Sequence, residues 1–232
     1  MVEESIAIIP ARRGSKRIPR KNLVPIGGLP LIAWTIKAAL DSGVFSKVLV
    51  STDDKELAQI SIDFGAEVPF LRDSHADDHS TASQASRRAL EQAQLHYGKN
   101  FEIVAQLMPN CPLRDASDIQ SAMKSFLNHG RRQQISCAEF GWVNAWWASS
   151  ITEDGTPSAL FPDAREKRSQ DLTGLVFPSG AIWISRSDDL MEHGSFYGPN
   201  HRFETLAFHH AIDIDENQDL ELAKIILKGL QG

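Results

Sequence analysis

Cysteine is nearly absent from this chain: Cys111 and Cys137 are the only two among 232 residues. Two cysteines make neither a disulfide framework nor a four-cysteine zinc site, and they suit a reducing compartment, so both are read as small buried side chains. No apolar run approaches the roughly 18–20 residues of a membrane span. The N-terminus, Met1 to Ser5, is acidic and leads straight into an apolar strand pattern, without the basic stretch or small-residue cleavage site of a secretory leader. The expectation is a cytoplasmic protein with no membrane partner. Positive charge is also in deficit. With 24 Lys and Arg against 30 Asp and Glu the net charge is −6, so bulk electrostatics does not draw nucleic acid, and any anion must be captured by a local cluster. The composition, 42% hydrophobic and 23% charged, is near that of ordinary globular proteins and excludes disorder, collagen and coiled coil. No repeat or low-complexity linker divides the chain, so residues 1–232 are read as one domain.

What is present is alternation. Short β-branched runs at Ile6–Pro10, Lys47–Ser51, Glu67–Leu71, Glu102–Met108 and Gln134–Glu139 are separated by apolar residues at helical spacing. Those are Ile32, Ile36 and Leu40; Leu57, Ile60 and Phe64; Ala82, Ala85 and Ala89; and Ile119, Met123 and Phe126. Gly43, Gly65 and Gly130 stand where helices should end. The pattern predicts an α/β fold, a doubly wound and mostly parallel sheet with helices on both faces. After about residue 140 the alternation fails, and about 140–205 reads as a β-rich insertion with a projecting loop at Ser195–Arg202. A strand at Val176–Ser185, another through Phe208–Asp213 and a last helix with Leu220, Ala223, Ile226 and Leu227 on one side complete the prediction.

The chief anomaly follows the first strand. Residues Ala11 to Asn22 place six cations in the ten positions from 12 to 21 of an acidic protein. Ligands of open α/β sheets bind beyond the carboxyl ends of the strands, and Gly14 lets backbone N–H groups approach an anion, so a triphosphate is the natural guest. The segment is neither GxxxxGK[ST] nor GxGxxG. The plainer alternative is a solvated basic loop. A nucleic-acid site would interleave aromatics, and there are none here.

Ile9-Pro10-Ala11-Arg12-Arg13-Gly14-Ser15-Lys16-Arg17-Ile18-Pro19-Arg20-Lys21-Asn22 resembles the nucleotide-binding signature of the acylneuraminate cytidylyltransferases, the CMP-N-acetylneuraminate synthetases. The resemblance continues in order through Val50 to Asp54, Phe70-Leu71-Arg72, Thr81-Ala82-Ser83, Pro109 to Arg114, Pro178 to Ile184 and Ile212 to Asp215. It implies a Rossmann-like, nucleotide-diphospho-sugar transferase-like fold and transfer of CMP from CTP to the anomeric hydroxyl of an acidic nine-carbon sugar, releasing pyrophosphate. Arg12 and Lys21 would then hold the phosphates, with Lys21 nearest the reacting α-phosphate, alongside Ala11, Gly14 and Ser15. Asn22, Arg72, Thr81 and Ser83 would fix the cytidine. Such chemistry demands positioning and neutralisation of phosphoryl charge.

Asp213 and Asp215 lie two apart, which on a strand places both carboxylates on one face. From spacing alone the pair either converges on a hard cation, Mg²⁺ or Mn²⁺, or splits into a solvated Asp213 and an Asp215 that caps the helix near Asn217. The resemblance favours the metal, with Asp215 also a catalytic candidate as proton acceptor. For the sugar carboxylate Arg165, Arg168 and Arg202 are available, and Arg168-Ser169-Gln170 resembles the family's Arg-x-Gln segment, which selects Arg168 and Gln170. Met108, Phe177 and Ser179 depart from the family pattern, replacing polar groups at the sugar end and leaving the sugar's identity open among sialic, legionaminic and pseudaminic types. Trp142, Trp146 and Trp147 either wall that pocket or bury the insertion. Phe196 and Tyr197 match a pair of aromatics that reach into a partner subunit, which implies a homodimer. The alternatives are a CMP-Kdo synthetase, against which Lys21 counts, and a nucleotide-binding protein without catalysis, which would not need Lys21, Asp213 and Asp215 together.

Overall fold

Ser5–Pro10 forms strand β1, and every one of its residues is buried, the signature of a strand covered on both faces. After it come the two-residue strands β2 (Pro25–Ile26) and β3 (Leu29–Pro30), α1 (Leu31–Ser42), β4 (Lys47–Ser51), α2 (Lys55–Asp63), α3 (Ala82–Tyr97), β5 (Ile103–Gln106) and α4 (Ala116–His129). The chain continues with β6 (Gln133–Glu139), β7 (Ser149–Ile151), β8 (Pro157–Ala159), β9 (Val176–Arg186), α5 (Ser187–His193), β10 (Arg202–Thr205) and α6 (Asn217–Gln231). This is a computed structural model, and it describes residues 4–74, 81–141 and 143–231. Met1 to Glu3 and Trp142, used in the sequence reading, lie outside the described residues.

The main sheet has the order β10-β6-β9-β5-β1-β4. β1 runs parallel to β4 and β5, and β10 parallel to β6, while β9 is antiparallel to both of its neighbours, β5 and β6. The sheet is therefore mostly parallel with one reversed strand inside it. Alternate residues of the strands feed two cores, as the two-residue strand period requires. Ala7, Ile9, Val48, Val50, Ile103 and Ala105 pack with α1, α2 and α4 through Ile32, Ile36, Leu57, Ile119, Met123 and Phe126. Ile6, Ile8, Leu49 and Val104 pack on the other face with Ala89, Leu90 and Ala93 of α3 and Leu190 of α5. Four of the helices end at left-handed glycines, Gly43, Gly98, Gly130 and Gly194.

Three expectations are corrected. Glu67–Leu71 is no strand: Glu67 makes one bridge to Leu49 and the ladder stops, because Pro69 has no N–H to continue it. Phe208–Ala211 is a 3-10 helix, and the last strand of the sheet is Arg202–Thr205, at the end of the segment read as a projecting loop. That strand lies at the sheet edge with alternating exposure, so no apolar run announces it. Phe196, expected to be exposed, is wholly buried in the α3–α5 core. The described residues of 140–175 stand outside the main sheet, where β7 and β8 form a hairpin of their own and Ala145–Trp147, Pro162–Ala164 and Ser169–Asp171 are 3-10 turns. β9, α5 and β10 are built into the body. No helix among the described residues is long and apolar enough to cross a membrane.

Candidate active site

β1 and β4 end side by side, and the Ala11 N–H donates to Ser51 O at 2.9 Å, so the basic loop leaves the sheet at its carboxyl edge. There it walls a cleft of about 440 Å³ together with Arg72, Thr81, Met108, Pro109, Asn110 and Asp215. Arg12, Gly14, Ser15, Lys16, Arg17, Lys21 and Asn22 all line it. The cations of the loop are sorted by their partners. Arg13 and Arg20 turn to the start of α2, where they pair with Asp54 and Glu56. Arg20 holds the left-handed conformation (φ 54°), uncommon for a residue with a side chain. Asn22 Nδ2 donates to Arg12 O at 3.2 Å and closes the loop on itself.

Arg72 is the buried cation of the cleft, only 7% exposed. Its backbone N–H is fixed to Thr52 O at 2.8 Å. Its Nε and one Nη are buried without a hydrogen-bond partner among the described residues, and the nearest carboxylate, Asp53, is 3.9 Å away. Burial above all lowers its pKa from the usual arginine value; Asp53 opposes that shift and the Arg12 charge adds to it. Such a group is stabilised by an acceptor or anion from outside. Thr81 caps α3, its Oγ1 accepting from Gln84 N–H at 3.2 Å while Gln84 Oε1 accepts from Thr81 N–H at 2.8 Å. Ala11 and Ser83 are buried behind the cleft and do not line it.

On the opposite wall Lys21 Nζ donates to Asp215 Oδ1 at 2.9 Å and to Ile214 O at 2.7 Å, and Arg17 donates to Asp215 Oδ2 at 2.9 Å. Residues 212–215 do not form a strand. Ile214 is instead pinned by its N–H to Asn110 O at 2.8 Å and its O to Asn110 Nδ2 at 3.3 Å, leaving an aspartate on either side. Asp215 gives its two carboxylate oxygens to Lys21 and Arg17 rather than to α6, while Asp219, in the first turn of that helix, reaches back to accept from Asp215 and Glu216 N–H at 3.0 and 2.8 Å. Burial raises the Asp215 pKa, but the Lys21 hydrogen bond and charge, with Arg17, outweigh it and leave the group below the ordinary carboxylate range. Asp213 is not part of the cleft wall and is exposed as a residue; burial of its carboxylate foremost, with the Asp215 charge, lifts its pKa against Cys111, Gly180 and Lys21. Asp213 and Asp215 offer the hard oxygen donors that suit a divalent cation, with both oxygens of Asp215 engaged by Lys21 and Arg17 in this structure. Asp115, Asp118 and His210 bring three more possible ligand atoms within 4.8 Å of one another, but Asp115 and Asp118 already cap the N–H groups of α4.

A family profile described as Cytidylyltransferase matches residues 6–174. The chain belongs to that family. It is 33% identical over 97% of its length, and 97% of the relative's, to a pseudaminic acid cytidylyltransferase of Campylobacter jejuni. It is 30% identical over 92% of its length, and 51% of the relative's, to an N-acylneuraminate cytidylyltransferase of Streptococcus agalactiae. Among solved structures, a CMP:2-keto-3-deoxy-manno-octonic acid synthetase complexed with CTP shares the fold, with TM-score 0.71 at 19% identity over 98% of this chain and 100% of that one.

Away from the basic loop, this cytidylyltransferase brings fewer of the expected residues together. Met108 lines the cleft, but Arg168 is exposed and paired with Asp171 at 2.8 and 3.1 Å, and neither it nor the exposed Gln170 is part of the cleft wall. Arg202 is tied to Glu204 at 2.7 Å. Ser179 is 1% exposed, its hydroxyl donating to Ala211 O and accepting from Ala181 N–H, so it braces the wall from behind. Phe177 packs edge-on against Phe140 and Phe208. Trp146 bonds to Thr173 O and Trp147 to Ala164 O, contacts internal to the 140–175 arm. Four residues that sequence reasoning did not assign complete the site: Thr35, Asn110, Cys111 and Arg114. Arg114, although part of the Pro-Leu-Arg motif, is wholly buried and donates to Ala181 O at 2.7 Å and to Thr35 Oγ1 at 2.6 Å. The Cys111 thiol donates to Asp213; burial, foremost, and the adjoining Asp213 charge raise its pKa well above the usual thiol value.

Proposed function

We propose that this cytidylyltransferase transfers CMP from CTP to the anomeric hydroxyl of a nonulosonic acid of the deoxy, di-N-acyl kind, such as the pseudaminic type. The observation that carries the reading is one cleft lined both by a buried Arg72 short of hydrogen-bond partners and by the Arg17–Lys21–Asp215 cluster. The hydroxyl oxygen bonds to the α-phosphorus, the bond to the β-phosphate bridging oxygen breaks, pyrophosphate leaves, and the hydroxyl proton passes to a carboxylate of the Asp213–Asp215 pair. Arg12, Gly14, Ser15 and Lys21 bind the phosphates, with Lys21 meeting the charge that grows on the α-phosphate. Asn22, Arg72 and Thr81 orient the cytidine. Asp213 and Asp215 would hold a divalent cation, Mg²⁺ or Mn²⁺, which neutralises phosphoryl charge when bound. The apolar Met108 in the cleft wall supports a sugar of apolar periphery, as does the higher identity to the pseudaminic acid relative.

Two further parts of the reading are proposals of the same kind. The arm at 140–175 exposes Val143, Trp147, Ile151, Leu160 and Phe161, an apolar surface that a second copy of the chain would cover while bringing Arg168 and Gln170 towards a sugar pocket. Two unpaired buried cysteines favour work in the cytoplasm.

The test is pyrophosphate release from CTP and Mg²⁺ with pseudaminic, legionaminic and N-acetylneuraminic acids and Kdo. The expected result is kcat/KM for a deoxy di-N-acyl sugar at least tenfold above N-acetylneuraminate, silence in EDTA, and a Met108→Gln variant that narrows the ratio. Release with none of the sugars refutes the catalytic reading, and a tenfold preference for N-acetylneuraminate refutes the sugar assignment.

A further inference from the structure

Asp213 is gripped from two sides by groups far apart in the chain. The Cys111 thiol donates to Oδ1, and the Gly180 N–H donates to Oδ2 at 3.3 Å. Cys111 is 0% exposed, so its thiol does not open to the cleft and serves this one acceptor. The turn carrying it is clamped through Met108. The Met108 carbonyl accepts from Cys111 N–H at 3.4 Å, Thr35 Oγ1 at 3.3 Å and Arg114 Nη1 at 3.4 Å, while its N–H donates to Gly180 O at 3.2 Å. On the other side of the grip Gly180 has no space for a side chain: a Cβ would stand 3.0 Å from Met108 Cγ and 3.2 Å from Asp213 Oδ1. The buried Arg114 thus fixes the turn against β9, and the fixed turn delivers a donor to each oxygen of one carboxylate.

We propose that Cys111 is a positioning residue that, with the Gly180 N–H, sets the orientation of the Asp213 carboxylate towards the cation. The inference rests on the reading of Asp213 as a metal ligand. A carboxylate oxygen has two lone-pair sites, so each donor occupies one and leaves the other for the cation. Partners that orient a ligand in this way typically carry about 10–100-fold in metal affinity.

Mn²⁺ binding in the presence of CTP and without sugar, followed by electron paramagnetic resonance, tests this on the wild type, Cys111→Ser, Cys111→Ala, Cys111→Val and Asp213→Asn. Thermal melting accompanies each titration to establish that the variant is folded. Serine keeps a donor and valine keeps the bulk without one. The expected result is affinity within about threefold of wild type for Cys111→Ser and a loss of about tenfold or more for Cys111→Ala and Cys111→Val. If valine does not fold, the alanine and serine variants decide between them. Wild-type affinity in Cys111→Ala, or serine as weak as alanine, overturns the positioning role while Asp213→Asn still loses binding. Wild-type affinity in Asp213→Asn instead overturns the metal reading beneath it.

Discussion

Lys21 is held between a carboxylate and a main-chain carbonyl. On the proposed reading its charge is needed where negative charge accumulates during transfer, whereas Arg12 and Arg72 would share ground-state binding of CTP. The Lys21→Ala variant is therefore expected to lose more than tenfold in kcat, over about 1.4 kcal/mol of barrier, with CTP affinity by calorimetry within about threefold of wild type. Retention of more than a tenth of wild-type kcat would remove Lys21 from the central role. At this scale the sequence was readable where chemistry is concentrated in short segments. Arg12, Lys16, Arg17 and Lys21 of the basic loop and Asp215 stood out by charge or spacing, Arg72, Thr81 and Met108 through the family resemblance, and all of these line one cleft. It was unreadable where a role depends on a contact between distant segments. Cys111 meets Asp213 across 102 residues, and Arg114 meets Thr35 across 79; no spacing rule encodes either. Ser179 shows the converse, a polar residue in a suggestive motif whose hydroxyl is spent on the backbone.

Helices and strands were legible in proportion to their burial. The five long helical patterns each produced a helix, and β1, β4, β6 and β9 stand within a residue of expectation, because elements packed on a shared core must repeat apolar residues at their own period. Where a proline or an edge intervenes, as at Pro69 and β10, that signal vanishes. The segment after Pro69 is held by a different device. Asp73 accepts from Arg88 of α3, Nε to Oδ1 at 3.0 Å and Nη2 to Oδ2 at 2.5 Å, joining the residues that carry Arg72 to the helix that carries Thr81. The Arg88 hydrogen bonds hold the Asp73 pKa down at about 2, below the ~3.9 of a free aspartate. A depressed carboxylate stabilises the fold above the unfolded-state pKa and loses that contribution as pH falls. Both partners are well exposed, so the contribution is small, at most about 1 kcal/mol. The difference in urea-unfolding free energy between wild type and Asp73→Asn should accordingly persist from pH 7 to 5 and vanish as pH falls from about 4 to about 2. A difference that is constant with pH would show that the ion pair contributes nothing. The same variant is expected to raise the KM for CTP, since Arg72 loses its tether.

For the molecule as a whole, the arm is the least self-sufficient part: Ile151 is 76% and Leu160 59% exposed, on a hairpin of two three-residue strands. Light scattering should give a particle of twice 25.7 kDa, and the double variant Ile151→Asp, Leu160→Asp should give a monomer with its melting point little changed. A monomeric wild type at tens of micromolar would end the dimer reading. The strand order has a consequence in time. β9 lies between β5 and β6, both of which leave the ribosome before it, so β6 has no seat in the sheet until residue 186 has been made. Lys21 waits longer still, since Asp215 follows it by 194 residues, which at roughly 5–20 residues per second of synthesis is about 10 to 40 seconds. Throughout that interval Arg17 and Lys21 have left the ribosome without the Asp215 counter-charge, beside a ribosome surface rich in RNA phosphate.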